Sequence, residues 1–240
     1  MSSSFKKLIS FLSCLMLLSY CSAQIIYAND AQLRTDVSLS KKLNDFFSLQ
    51  VQEQARWSNN ISSFERASTD LSFSCAINKR LKITSGYVHI YKMKNAIDAS
   101  IRHRFYLSLT LKADYYLWKF QYRCQLQNQL NDPFFSKYGT TNYIYNRHKI
   151  TVKYEISKRL SVYLADELYL PLNNPGLLGF DRNRFYVGCT YKISKKQSVD
   201  VYFMNQRKLQ FNDWPKYGAD FSENGFTSDY VCGLSYAVEF

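Results

Sequence analysis

The side chains best equipped for chemistry are three histidines, four cysteines and a set of charges at every second position. His89, His103 and His148 could act as general bases only beside a nucleophile and a carboxylate. A barrel that hydrolysed lipids or transferred acyl groups would need such a set. No HExxH and no GxSxG occurs, so a triad would have to be assembled across strands. All three histidines fall in the apolar register of their segments and are expected near strand ends. Cys75, Cys124, Cys189 and Cys232 raise the possibility of two disulfides. Each lies on the apolar face of a segment not adjacent in order to another's. Strands sit ~4.8 Å apart, and a disulfide tolerates ~7 Å between Cα atoms. The four thiols are therefore expected to stay apart and face outward. No CxxC pair occurs, so a zinc site is not expected. No residue is assigned a catalytic, cofactor-binding or metal role, and the protein is expected not to be an enzyme.

The charges are more informative. Arg102, Arg104, Arg123, Arg147, Lys153, Glu155, Glu167 and Asp200 occupy the register opposite to the apolar one. Two roles fit them. They can fill a narrow barrel with mutual salt bridges and water, or they can form a selectivity lining for anionic solutes. Arg102, Arg104, Arg123, Glu155 and Glu167 are the expected lumen charges.

The elements that would position these groups are strands. The last stretch alternates Tyr230, Cys232, Leu234, Tyr236, Val238 and Phe240 with small or polar residues, Val231 excepted. The segment Tyr116 to Gln129 alternates most cleanly, with Tyr122, Cys124 and Leu126 opposed to Gln121, Arg123 and Gln125. Such period-two alternation excludes buried parallel strands, which read as continuous apolar runs. The segments run ~10–13 residues, which suits tilted membrane strands better than the ~5–6 of globular sheets. Turns at Asn44-Asp45, Asn78-Lys79-Arg80, Ser157-Lys158-Arg159 and 194–197 alternate with longer loops, including one at 58–64. Trp57, Tyr87, Tyr91, Tyr115, Tyr116, Tyr169, Phe185, Tyr191 and Tyr236 suit interfacial girdles. The fold class is all-β: a single antiparallel up-and-down transmembrane barrel of 10–12 strands. Eleven segments are visible. Because single-chain barrels usually have an even number, either 24–30 supplies an additional strand or one segment lies outside the barrel wall; within 10–12, twelve is the favoured count. Glu53 and Asp166 fall on the apolar register and suggest bulges or rim positions.

Residues 1–23 read as an export signal: Lys6 and Lys7, an apolar run from Leu8 to Leu18, then Cys21-Ser22-Ala23 before a cut ahead of Gln24. The remainder, 24–240, is one barrel domain. The chain carries 31 basic and 19 acidic residues in all. The leader holds two lysines and no acid, leaving 29 against 19, net +10. An exported chain of this charge favours anionic lipid headgroups or anionic solutes, and no nucleic-acid motif accompanies it. Tyr (20) and Phe (17) are abundant, and mean hydropathy is slightly negative, as a barrel with a wet lumen requires. The aromatic loop residues Phe134, Phe135, Tyr138, Tyr143, Trp214 and Tyr217 fit ordinary loop packing, an inward plug, or an external site for a sugar or lipid.

Several stretches resemble the outer-membrane-barrel family called domain of unknown function 2490. They are Cys75 to Ile83, Arg102-His103-Arg104-Phe105, Glu167-Leu168-Tyr169 with Leu172-Asn173-Asn174-Pro175, Phe180 to Phe185, and Val199 to Phe203. The resemblance covers nearly all of the mature chain and implies a barrel without an assigned activity. The closing strand resembles that of Gram-negative outer-membrane barrels, whose terminal aromatic is read by the assembly machinery; Tyr236, Val238 and Phe240 would form that signal. Expected partners are outer-membrane lipid and lipopolysaccharide, the barrel assembly machinery and periplasmic chaperones. The expected role is a narrow channel or a structural, lipopolysaccharide-interacting protein of the outer membrane. A lipid hydrolase or acyltransferase, and a soluble periplasmic barrel holding a hydrophobic ligand, are the alternatives.

Overall fold

The computed structural model describes residues 26–93, 98–131, 142–173, 180–209 and 226–240; the proposed export signal and the loop aromatics other than Tyr143 lie outside them. Among the described residues eleven strands form one closed barrel: β1 (Ile26–Lys42), β2 (Phe47–Ser58), β3 (Ser63–Ala76), β4 (Leu81–Met93), β5 (Ala99–Tyr115), β6 (Trp118–Asn131), β7 (Asn142–Glu155), β8 (Leu160–Pro171), β9 (Arg182–Lys192), β10 (Gln197–Leu209) and β11 (Phe226–Glu239). Each strand pairs antiparallel with the next, and β11 closes on β1. The expectation of twelve strands is corrected. Ile26 to Asp30 begins β1 rather than forming a strand of its own. With an odd number of alternating strands the last runs in the direction of the first. The seam is therefore parallel, in continuous register from Asn29↔Ser228 to Ser40↔Glu239, with the slanted hydrogen bonds of parallel pairing.

The turns at one end share a construction. Asn44, Asn78, Ser157 and Ser194 each accept, through the side chain, from a backbone N–H two residues ahead, at 2.9, 2.8, 3.3 and 3.2 Å. Such side chains stand in for a backbone turn, which is why short Asn/Ser-Lys-Arg stretches suffice there. At the other end the expected loop at 58–64 is only the four-residue turn 59–62. Asn59, Asn60 and Ile61 all take positive φ. Asp30 fixes this turn by accepting from the Asn60 N–H at 2.8 Å.

Side chains alternate across the wall. Leu107 (54% exposed), Leu126 (49%) and Val201 (50%) point outward, while Gln121, Arg123, Gln125 and Gln127 line the interior. An apolar outer face is unfavourable in water and favourable in hydrocarbon. A soluble carrier of a hydrophobic ligand would need the reverse arrangement. Glu53 and Asp166 sit mid-strand in unbroken register, Val37↔Glu53↔Thr69 and Ile150↔Asp166↔Phe185. Neither marks a bulge, contrary to expectation; register shifts occur at Arg56/Trp57 and Ile26/Asn29. Asp166 points outward and accepts from Asn183 Nδ2 at 2.8 Å.

Tyrosines lie flat over glycines inside the barrel. Tyr106 covers Gly86, Tyr163 covers Gly188 and Tyr202 covers Gly233, each pair facing across one ladder. Tyr106 donates to Asp70 at 3.0 Å and Tyr163 to Asp200 at 2.8 Å, both on the strand beyond the glycine. A Cβ on Gly188 would stand 2.5 Å from Tyr163 Cζ. The ring cannot retreat without leaving Asp200. Gly188→Ala is therefore expected to destabilise the barrel by about 1–3 kcal/mol, read from the urea midpoint in detergent. Tyr163→Leu in that background should recover most of the loss; no recovery would place the cost elsewhere than the ring.

One inward row is dry. Ala165, Tyr186, Met204 and Val231 are direct cross-strand neighbours on β8–β11 and are all buried. The lumen is thus not wholly wet, as the alternation alone implied. This row fills part of the interior on the side of β8–β11, and the edge of Tyr186 borders the remaining cavity.

Candidate functional site

The lumen encloses a cavity of about 940 Å³ lined from the turn end (Lys82, Lys112, Gln121) to the loop end (Lys92, Arg102, Asn131). A 13-residue strand tilted by ~40° stands roughly 33 Å tall. Averaged over that height, the cavity has a cross-section of roughly 30 Å². Among the described residues nine arginines and five lysines line this space against four carboxylates, Asp36, Glu65, Asp70 and Asp200. Glutamines and serines of β2, β3 and β6 lie between these charges, on strands that also carry Arg56, Arg66 and Arg123. The arginines and tyrosines of β7–β9 form the most densely charged part of the wall.

That charged wall is organised by register. Arg123, Lys149, Glu167, Arg184, Gln206 and Asp229 are successive register partners in one row across β6–β11. Glu167 is 1% exposed. Its Oε1 accepts from Arg123 at 2.8 Å and Arg147 at 2.7 Å, and Tyr186 donates to Oε2 at 3.1 Å. Arg184 stands 3.6 Å from Oε2. Tyr169 occupies the next row between Arg147 and Arg182. The guanidinium carbons of Arg147, Arg184 and Arg182 lie 4.5, 4.8 and 5.0 Å from its ring centroid, and Arg184 donates to its hydroxyl. Such cation–π contacts hold the arginine heads in fixed positions. At the loop-end mouth Tyr145 donates to Asp181 at 2.9 Å. Burial pushes the Asp181 carboxyl above its usual range, against the pull of Arg182.

Of Arg102, Arg104, Arg123, Glu155 and Glu167, the three arginines line the cavity. Arg104 bonds to Gln129 at 2.7 Å. Glu155 pairs with Lys119 at 2.7 Å near the turn-end rim, away from Glu167. Tyr169, expected in an outer girdle, is instead an inward residue, 3% exposed, because it shares the face of Glu167 two positions before it. Arg34, Arg56, Arg182, Arg184, Lys149 and Tyr186 also belong to the lining and were not singled out in the sequence. Their signal was present as inward register, but no single strand shows which of them meet.

The histidines point outward. His148 lies mid-strand rather than near an end, because β7 already starts at Asn142. The Tyr122 hydroxyl meets its Nδ1 at 2.7 Å, and Tyr87 does the same for His103. The four cysteines are free and stay on the outer wall. Among the described residues no group of His, Cys, Asp and Glu is placed to hold a metal ion. Phe240 N–H donates to Ser40 C=O at 2.8 Å. Tyr236 and Val238 pair with Val37 and Leu39 across the seam.

A closed up-and-down barrel, apolar outside and charged within, defines the class as a porin-like β-barrel. The structure of the NanC porin in a rhombohedral crystal form superposes with a TM-score of 0.51 at 10% identity, covering 88% of this chain and 99% of that one. That fold is consistent with an outer-membrane location. A family model matches residues 31–216, and the chain belongs to that family, described as "Protein of unknown function (DUF2490)". No match is found among curated proteins.

Proposed function

We propose that this protein is a narrow, non-enzymatic, anion-selective channel of the outer membrane. The observation that carries the reading is the imbalance in the lining: fourteen cationic against four carboxylate side chains around a space running the length of the strands. A fixed positive field in a confined passage draws anions in and repels cations. The lipid hydrolase alternative finds no support in the histidine contacts, since tyrosine hydroxyls occupy Nδ1 of both His103 and His148. The test is conductance of the purified barrel in a planar bilayer under a KCl gradient. Discrete steps with a reversal potential on the chloride side are expected. Silence at all voltages, or a cation preference, would overturn the channel and leave a structural role.

In the same reading the chain is exported through a signal over 1–23 and carried by periplasmic chaperones. The assembly machinery reads Phe240 together with Tyr236 and Val238, and membrane lipid and lipopolysaccharide surround the outer face. Removing Phe240 is expected to cut membrane-integrated protein in cells by several-fold while the purified chain still refolds in detergent. Equal losses in both settings would mean that Phe240 acts through its seam hydrogen bond instead.

A further inference from the structure

We infer that Arg34, Arg56, Arg66 and Lys92 form a binding track for a linear polyanion inside the barrel. This inference rests on the channel reading and names the class of solute. The four cations are direct register neighbours on β1, β2, β3 and β4: Arg34↔Arg56, Arg56↔Arg66 and Arg66↔Lys92. All four line the cavity. Three strand intervals of ~4.8 Å make the track about 14 Å long.

Like charges placed directly opposite destabilise a sheet. On β6–β9 the cations gather around the interposed Glu167. On β1–β4 the row itself contains no acid. Among the described residues Glu65 is the one carboxylate within ion-pair distance of the track, 3.5 Å from Lys92 Nζ. Arg34 is 3% exposed, yet its contacts are Gln32 Oε1 at 3.4 Å and Met204 Sδ at 3.8 Å. Among the described residues its Nε and that of Arg66 have no partner, and Arg56 bonds there only to Gln54 Oε1, at 3.1 and 3.0 Å. The nearby acids are engaged elsewhere: Asp30 with Gln32 and the Asn60 N–H, Asp36 with Gln52 and Ser235.

Arg184 adds to the repulsion. Arg34 contacts Met204 and Arg184 bonds to Gln206 at 2.7 Å. Those two positions share one face of β10, roughly 7 Å apart. A buried guanidinium without a counter-charge is costly. A line of cations held this way is complete only when an anion lies along it. Guanidinium forks select oxyanions, and the repeat along the strands selects several of them joined in a chain. A single phosphate or carboxylate would satisfy one rung.

The test uses the full barrel in detergent and calorimetric titration with inorganic phosphate, tripolyphosphate, glutamate and a linear glutamate trimer. The oligomeric probes are expected to bind at least about tenfold tighter than their monomers. Whether the phosphate or the carboxylate series binds tighter tells which chemistry the track prefers. Arg56→Gln should erase the oligomer advantage and also raise the melting temperature without ligand, because it removes the middle of a like-charge row. Lys158→Gln, on an outer turn, should change neither. Equal binding of monomer and oligomer overturns the track even if the barrel conducts anions. An Arg56→Gln barrel that melts lower and keeps the oligomer advantage also overturns it, since Arg56 would then be structural. If the oligomer advantage holds but bilayers stay silent, the channel reading fails and the binding site stands.

Discussion

Replacing Glu167 with Gln is expected to lower the unfolding free energy of the barrel by about 3–5 kcal/mol, the usual cost of breaking a buried ion pair from one side. The substitution keeps the shape and removes the charge. Glu167 is 1% exposed, and Arg123 and Arg147 bond to the same oxygen at 2.8 and 2.7 Å. Arg184 flanks its second oxygen, and Lys149 faces it across the ladder. Without the carboxylate, four cations would converge on a neutral amide in a space already short of acids. Glu155→Gln is the internal comparison. Glu155 also pairs at 2.7 Å, but with Lys119 at the rim, where the two side chains are 28% and 42% exposed. Solvent and salt screen that pair, and its loss should cost less than about 1 kcal/mol. Urea unfolding in detergent micelles reads both. Equal midpoints for the two variants would mean that Glu167 is not the charge that organises the wall.

Reversing one lumen charge is expected to change selectivity on the order of tenfold. Arg104 is the suitable position. It lines the cavity and bonds to neutral Gln129 rather than to an acid, so its replacement leaves no orphaned carboxylate. A unit charge ~4 Å from a solute in water contributes about 1 kcal/mol. Arg104→Glu changes the local charge by two, about 2 kcal/mol or roughly thirtyfold against an anion at that point, with the opposite sense for a cation; screening by salt leaves at least about tenfold in the anion-to-cation permeability ratio. Arg104→Gln should fall between the wild type and Arg104→Glu. The new carboxylate would stand among the arginines of the opposite wall, so the barrel itself should hold. The measurement is the reversal potential in a salt gradient. A ratio unmoved by Arg104→Glu would show that ions pass elsewhere than the described lumen.

Much of this architecture was legible in the sequence because a strand has a side-chain period of two. That period alone assigns Leu126 outward and Arg123 inward, and it places Glu167 in the lumen without any structure. Turn chemistry was legible for the same kind of local reason: Asn78 and Ser157 bond to backbone only two residues away. Where local rules compete, the reading failed. Tyr169 has the composition of a girdle residue, but register puts it on the same face as Glu167. Acids on the apolar register suggest bulges or rim positions at Glu53 and Asp166, yet both sit mid-strand in unbroken register, and Asp166 is answered by Asn183 from the next strand.

That a barrel forms, which face is apolar, and that the interior is strongly cationic all follow from residue type and from alternation along one strand. Closure with eleven strands on a parallel seam depends on how the chain ends meet, and that appears first in three dimensions. The same holds for which charges meet. Arg123, Arg147 and Arg184 reach Glu167 from three other strands, and Arg34, Arg56, Arg66 and Lys92 line up on four. Those rows are set by the offset between strands, and no single strand records the offset of its neighbour.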